Sequence, residues 1–390
     1  METLLRTFHQ RLNETPAGFV RYLHDDIAWE SQLVAILGAR GVGKSTLMLQ
    51  HIRMHEDIGS TLYVSADDIY FSSHNLTELA HEFYVRGGKA LYIDEIHQYK
   101  GWSTEVKNVC DTYSGLRIVY SGSSILELEK GGGDLSRRKL EYRLPGLSFR
   151  EYLALSGNAD IPVHTLEQVL SHKVEFPYGR LRPVAMFDAY MKEGYYPYFQ
   201  QTGYTLRLQS VINRVLENDI RDFSGMSVST ARALKKLMYI ISQSAPFKPN
   251  ISKIAMNIGL NRQLVSDLLV YLEKAQLVSI LRDSTGGISA LGKVDKVYLD
   301  NTNLAYALAG DTLDTGNARE TVFLSMMRPL FDITSAPSAD FKIGKYTFEV
   351  GGRNKKQHQI SGIDNAFIVK DDIEYGYANV VPLWAFGLLY

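Results

Sequence analysis

The chain has 390 residues and a mass of 44.0 kDa, and at ~150 residues per domain that length implies two or three domains. Its 42 Lys and Arg against 43 Asp and Glu give a formal net charge of −1, with 45% hydrophobic and 11% aromatic residues. That composition excludes whole-chain disorder, collagen or coiled coil, and it argues against a global positive field that would hold nucleic acid.

One cysteine, Cys110, excludes an internal disulfide. The opening METLLRTFHQRLNETPAGFV lacks the unbroken apolar core of a signal peptide. No apolar run reaches the ~18–20 residues of a membrane helix. The nearest, Val380–Tyr390, is short and contains Pro382. The expectation is a soluble, cytoplasmic protein with no membrane partner.

The first third alternates short apolar runs with amphipathic segments. Leu33–Leu37, Thr61–Ser65, Ala90–Ile93 and Arg117–Ser121 read as strands, and their near-continuous apolarity predicts a parallel sheet covered on both faces. Ser45–His55 and Trp102–Tyr113 read as the intervening helices, so the fold class is α/β. After the first predicted strand, Gly38, Ala39, Arg40, Gly41, Val42, Gly43, Lys44 and Ser45 match G-x-x-x-x-G-K-[ST], the Walker A pattern, and Thr46 leads into a helix. Glycines let backbone N–H groups turn toward phosphates, Lys44 adds charge at the β/γ-phosphates, and Ser45 offers a hydroxyl to Mg²⁺. These residues make ATP and Mg²⁺ the expected ligands.

The run Ala90–Glu95 ends a strand in Asp-Glu, a Walker B pattern. It places Asp94 to hold Mg²⁺ and Glu95 to orient and deprotonate an attacking water. Ser121 or Ser123, closing the next strand, is a polar sensor candidate beside the γ-phosphate; the alternative is a strand-to-helix turn. Arg137, Arg138 and Lys139 are three cations in a row, either a solvated basic turn or the source of an arginine finger. On the phosphate-loop helix, His51 and His55 stand four residues apart, with no third metal ligand in the local pattern. Cys110 reads as a small core residue.

Strand signals stop from about Leu153 to Ala245, where apolar residues recur at helical spacing around a Tyr-rich turn, Gly194–Phe199. Asn250–Val278 then has the form of a winged helix: an apolar-faced helix, a Gly259 turn and a second helix. Seven Lys or Arg against five Asp or Glu between Pro246 and Asp300 leave DNA reading and protein packing both open for it. In the last ninety residues a helix near Ala318–Leu330 precedes strands Asp340–Ile343 and Tyr346–Val350 about Gly344-Lys345, a hairpin signal. Glu320, Asp340 and Glu349 fall in the metal-binding order of a restriction-endonuclease-like fold. The lysine position is Gly351, however, and Lys355 substitutes only if the strand bends at Gly351-Gly352. A degenerate nuclease fold is the favoured reading, an active nuclease the alternative.

Taken together, RYLHDDIAW, GARGVGKS, LYIDEIHQYKGWSTEVKNVCD, YSGSS, LSRRKLEYRLPGLSFREYL, GYYPYF, VLENDI, KVYLDNTNLAYAL and the closing VPLWAFGLLY resemble a prokaryotic AAA-type P-loop ATPase family. In that family the ATPase core is followed by a C-terminal domain of unknown function. The resemblance implies an ATPase core at 1–152, a helical connector at 153–245, a winged helix at 246–300 and a restriction-endonuclease-like domain at 301–390. It also implies that Arg138 matches the candidate finger, acting in its own subunit or on a neighbour, while Arg137 replaces a glycine. The implied activity is Mg²⁺-dependent ATP hydrolysis coupled to movement of the C-terminal domains. An ATP-regulated DNA-binding protein or nuclease is the alternative, and a protein partner or self-association is allowed.

Overall fold

The computed structural model describes residues 1–122, 135, 137–220, 227–283, 293–310, 313–355 and 360–390. The chain divides into two compact units, Met1–Gly146 and Leu147–Tyr390, where the sequence reading separates four modules.

The first unit opens with α1 (Glu2–Glu14), whose Leu4, Phe8 and Leu12 are buried on one face. A short 3-10 turn, Tyr22–Asp26, leads to β1 (Leu33–Leu37) and then α2 (Lys44–His55). Next come β2 (Thr61–Ser65), α3 (Leu76–Val85), β3 (Ala90–Asp94), α4 (Trp102–Thr112), β4 (Arg117–Gly122) and β5 (Leu140–Arg143). The strands form one sheet in the order β2-β3-β4-β1-β5, every neighbouring pair parallel. β1 and β3 are buried at every position, which is why their sequences carry no polar alternation. β5, an edge strand, is largely exposed and reads LEYR, so apolar patterning gives no sign of it.

Strand order places β1 between β4 and β5, so β3 and β1 are separated by β4 and their C-terminal ends share one edge of the sheet. In a doubly wound sheet that edge is where ligands bind. The phosphate loop leaves β1 there, and Asp94 closes β3 at the same edge.

The second unit begins with α5 (Phe149–Leu155), entered through a reciprocal cap in which Ser148 bonds the Glu151 N–H and Glu151 bonds the Ser148 N–H. Further helices follow: α6 (Leu166–Leu170), α7 (Pro183–Glu193), α8 (Tyr204–Arg214), α9 (Val228–Ser244), α10 (Ile251–Ile258) and α11 (Arg262–Lys274). Gly259, at φ +73°, ends α10, a left-handed position that favours glycine, and the Asn261 side chain caps α11. An antiparallel pair, β6 (Val278–Arg282) with β7 (Val294–Leu299), comes next. Then α12 (Thr302–Ala309) and α13 (Thr315–Met327) lead to a sheet in the order β12-β11-β10-β9-β8. Its strands are β8 (Ile333–Ala336), β9 (Ala339–Ile343), β10 (Tyr346–Gly351), β11 (Ala366–Lys370) and β12 (Val380–Pro382). The expected hairpin is present: Ile343 pairs with Tyr346 across Gly344, which has φ +55°.

α12 packs into the helical segment through Asn303. Its Oδ1 accepts the Tyr195 N–H at 2.8 Å and the Tyr204 hydroxyl at 2.5 Å, and its Nδ2 donates to the Met191 carbonyl at 2.9 Å. One buried amide thus ties residues assigned to the connector to residues assigned to the C-terminal module. The closing apolar run is core: β12 and the 3-10 turn Leu383–Leu388 are buried with Phe149, Phe323 and Phe348. Among the described residues no helix is long and apolar enough to cross a membrane.

Candidate active site

The loop after β1 is shaped by its glycines. A Cβ on Gly38 would collide with the Leu144 carbonyl oxygen, because Leu144 donates its N–H to the Leu37 carbonyl and runs close alongside. Gly41 (φ +87°) and Gly43 (φ +99°) turn the backbone through left-handed conformations before α2 begins at Lys44. Lys44 is buried, and its Nζ donates to the carbonyls of Gly38 and Ala39, each at 2.9 Å. Ser45 and Thr46 occupy the first turn of α2, partly exposed at the helix N-terminus, where unpaired N–H groups favour an anion.

Asp94 is buried at the end of β3. Its Oδ2 accepts the Tyr63 hydroxyl at 2.7 Å, and its Oδ1 accepts the Ser121 hydroxyl and the Glu95 N–H. The expected sensor Ser121 is fully buried on β4 and braces Asp94; its hydroxyl also lies 3.4 Å from the Glu95 N–H. Ser123 lies outside the described residues. Glu95 has φ +51°, a left-handed conformation that costs a non-glycine residue about 1–2 kcal/mol. Its Oε2 lies 3.8 Å from Arg40 Nη2 and 3.5 Å from His97 Nε2. The structure therefore brings Arg40 of the loop to the candidate base.

Two residues of this site carried no sequence signal. Tyr63 reads as one more apolar position of β2, yet its hydroxyl anchors Asp94. Burial and then the Asp94 charge push its pKa well above the ordinary phenol range, so it stays a donor. His97, three residues past Asp94, is buried against Glu95, and burial, then Lys44 and Arg40, lower its pKa to about 3. It is neutral at physiological pH.

Arg138 stands elsewhere. The register Val34–Leu140 puts it just before the N-terminal end of β5, on the sheet edge opposite the phosphate loop, where it is exposed and ion-paired with Asp111 at the end of α4. Within one chain it is not brought to the loop. Cys110 is buried, and burial pushes its thiol up to about 11, in keeping with a core residue.

Residues 30–153 match the model of an AAA domain. The match spans the loop, Asp94, Glu95 and Arg138, and with the five-stranded parallel sheet it supports an AAA-type ATPase fold for the first unit. Residues 185–315 match a domain of unknown function, DUF8612, which takes in the helical segment from α7 onward, the β6–β7 pair and α12 together. An uncharacterized protein of Methanocaldococcus jannaschii is 24% identical over 277 residues, which cover 66% of this chain and 58% of that protein. The chain thus spans little more than half the length of that relative. A solved structure of a Walker-type ATPase of Pyrococcus abyssi is similar at 13% identity and a TM-score of 0.44, covering 74% of this chain and 95% of that one. AMPPCP-bound DnaA from Aquifex aeolicus is similar at 12% identity and a TM-score of 0.29, covering 70% and 88%.

In the second unit the three expected carboxylates lie in one neighbourhood with two lysines. Lys296 Nζ of β7 is 3.0 Å from Glu320 Oε2 on α13 and 3.3 Å from Asp340 Oδ1 on β9. Tyr298 donates its hydroxyl to Glu320 at 2.9 Å, and the Val350 N–H donates to Asp340 at 2.9 Å. Glu349 of β10 is buried and ion-paired with Lys355. The aliphatic stem of Lys355 lies over Gly351, 2.6 Å from where a Cβ would be, so the glycine makes room for a lysine arriving from farther along the chain. Burial raises the Glu349 pKa, with Lys355 opposing and Asp340 reinforcing the shift.

Proposed function

We propose that the first unit binds ATP and hydrolyses it with Mg²⁺. The observation that carries this reading is the shared sheet edge: the loop bearing Lys44 and Ser45 leaves β1 where β3 delivers Asp94 and Glu95. The residues fit a Mg²⁺–nucleotide. A glycine-lined loop ends in a helix N-terminus, and Lys44 donates to two loop carbonyls that a phosphate oxygen would replace as partners. Ser45 and Asp94 would hold Mg²⁺, which neutralises charge developing on the phosphoryl oxygens.

Glu95 then orients water and takes its proton. Its contacts with Arg40 and neutral His97 hold the carboxylate beside the loop, and Arg40 can exchange Glu95 for a phosphate oxygen as its partner. Tyr63 and Ser121 fix Asp94, so that the carboxylate needs little reorganisation to serve the metal. Arg138 fits a finger supplied to a neighbouring subunit, since its own loop is across the sheet. Nucleotide-driven movement of the second unit belongs to the same reading. ATPase turnover of the intact chain against Lys44→Ala tests it: loss of nucleotide binding in the variant is expected, and undiminished turnover would refute it.

The second unit favours a degenerate nuclease reading. Lys296 stands between Glu320 and Asp340, where a metal ion would neutralise them, so the carboxylates already have a counter-charge. The order α10, α11, β6, β7 supports a winged-helix reading, and the tip between β6 and β7 lies outside the described residues. Salt-dependent binding of duplex DNA by the intact chain, with and without ATP, tests a DNA role for it.

A further inference from the structure

Three histidines of the first unit converge at the end of α2 remote from the phosphate loop. His51 and His55 are one helical turn apart on α2, and His24 comes from the 3-10 turn Tyr22–Asp26. One ring nitrogen from each lies within 4.8 Å of the others, and the ring centres are 5.1–5.4 Å apart. His24 and His51 are buried, while His55 is exposed. The Trp29 indole stacks on His51, with ring centres 3.8 Å apart and planes 8° from parallel.

Neutral imidazoles leave one buried nitrogen of this cluster without a hydrogen-bond partner. His24 Nδ1 is 2.9 Å from Asp25 Oδ1, an acceptor, so a neutral His24 ring carries its proton on Nδ1 and presents the Nε2 lone pair. That lone pair faces His51 Nδ1 at 3.2 Å. If His51 carries its proton on Nδ1, its Nε2 lone pair is buried with no hydrogen-bond partner, and the Glu56 carboxylate lies 3.7 Å away. Glu56 is itself held by Arg117 at 2.8 Å and accepts the Tyr92 hydroxyl at 2.7 Å. If His51 instead carries the proton on Nε2, toward Glu56, two lone pairs confront each other across 3.2 Å.

We propose that His24 Nε2, His51 Nδ1 and a nitrogen of His55 bind one first-row divalent cation of the Zn²⁺ class. Zn–N bonds of 2.0–2.1 Å at tetrahedral angles put two ligand nitrogens about 3.3 Å apart, and the His24–His51 pair already has that spacing. His55, at the exposed end of the helix, closes the third side by side-chain rotation and leaves the fourth position to solvent. Asp25 and Glu56 become the outer carboxylates that fix ring tautomers, the usual partners of metal-bound imidazoles. The ion ties the segment before β1 to the helix whose opposite end carries Lys44 and Ser45, so the site is a staple for the nucleotide-binding unit.

The test uses the untagged, chelator-stripped full chain titrated with Co²⁺, whose visible spectrum reports tetrahedral nitrogen ligation, followed by displacement with Zn²⁺. One Co²⁺ per chain is expected, with a raised melting temperature. His55→Ala and Asp25→Asn, both at exposed side chains that should leave the fold intact, weaken the metal affinity at least about tenfold. Circular dichroism of the stripped variants confirms that they fold. Absence of saturable binding at micromolar metal, or an affinity unchanged in both variants, would overturn the assignment.

Discussion

Tyr63 on β2 donates its hydroxyl to Asp94 on β3 at 2.7 Å, and both residues are buried. Replacing Tyr63 by Phe leaves that carboxylate with Ser121 and the Glu95 N–H alone. Removing one partner of a buried charged group costs about 1–3 kcal/mol. In Tyr63→Phe, ATP binding is expected to persist while the Mg²⁺ concentration for half-maximal turnover rises several-fold. A Mg²⁺ titration of steady-state hydrolysis checks it, and an unchanged Mg²⁺ dependence would remove Tyr63 from the site.

Gly38 has no room for a methyl group, because the Leu144 carbonyl stands where the Cβ would go and is fixed by the β1–β5 pairing. Gly38→Ala must displace either the loop or β5. Expected losses are about 1–3 kcal/mol of stability and most nucleotide affinity. Denaturant unfolding and binding of a fluorescent ATP analogue measure them separately.

Much of this site is legible in the sequence because its chemistry is local. The loop from Gly38 to Ser45 and the Asp94-Glu95 pair are contiguous, and the strands before them are apolar throughout. What is not legible is contact made across strands: Tyr63 belongs to a different strand from Asp94, and Ser121 reads as a terminal residue although it is fully buried. The place of Arg138 is hidden for the same reason, since adjacency to a basic run says nothing about which sheet edge it occupies. In the second unit, β9 and β10 follow from the Gly344-Lys345 turn. The seat of Lys355 over Gly351 depends on a backbone bend, and the role of Lys296 depends on a hairpin distant in sequence. The third histidine of the proposed metal site, His24, lies 27 residues from His51 and is brought in by tertiary packing alone.

His97 gives the first unit a pH dependence of known sign. Its folded pKa is about 3, below the ordinary 6.5, so the unfolded chain takes up a proton that the folded chain refuses. Its stabilising effect is complete above pH 6.5 and is lost as pH falls toward 3, at about 1.4 kcal/mol per pH unit. His97→Gln should flatten the stability profile between pH 7 and pH 5. Urea unfolding at those two pH values, wild type against variant, gives the difference directly.

Lys296 counters two carboxylates at once, and its own pKa is raised because Glu320 and Asp340 outweigh the opposing effect of burial. Lys296→Met is expected to destabilise the second unit by about 1–3 kcal/mol, between the values for exposed and buried pairs. The wild-type chain should leave supercoiled plasmid intact with Mg²⁺ or Mn²⁺. Cleavage that disappears in Glu349→Ala would restore an active nuclease.

In the proposed reaction Glu95 activates water at a nucleotide held by Lys44 and Mg²⁺. The most direct measurement of this step is a single-turnover assay on Glu95→Gln with radiolabelled ATP, alongside equilibrium binding of the same nucleotide. ATP should bind with wild-type affinity within a few-fold, while release of phosphate falls by at least about a hundredfold. Hydrolysis at the wild-type rate in Glu95→Gln would contradict this role for Glu95.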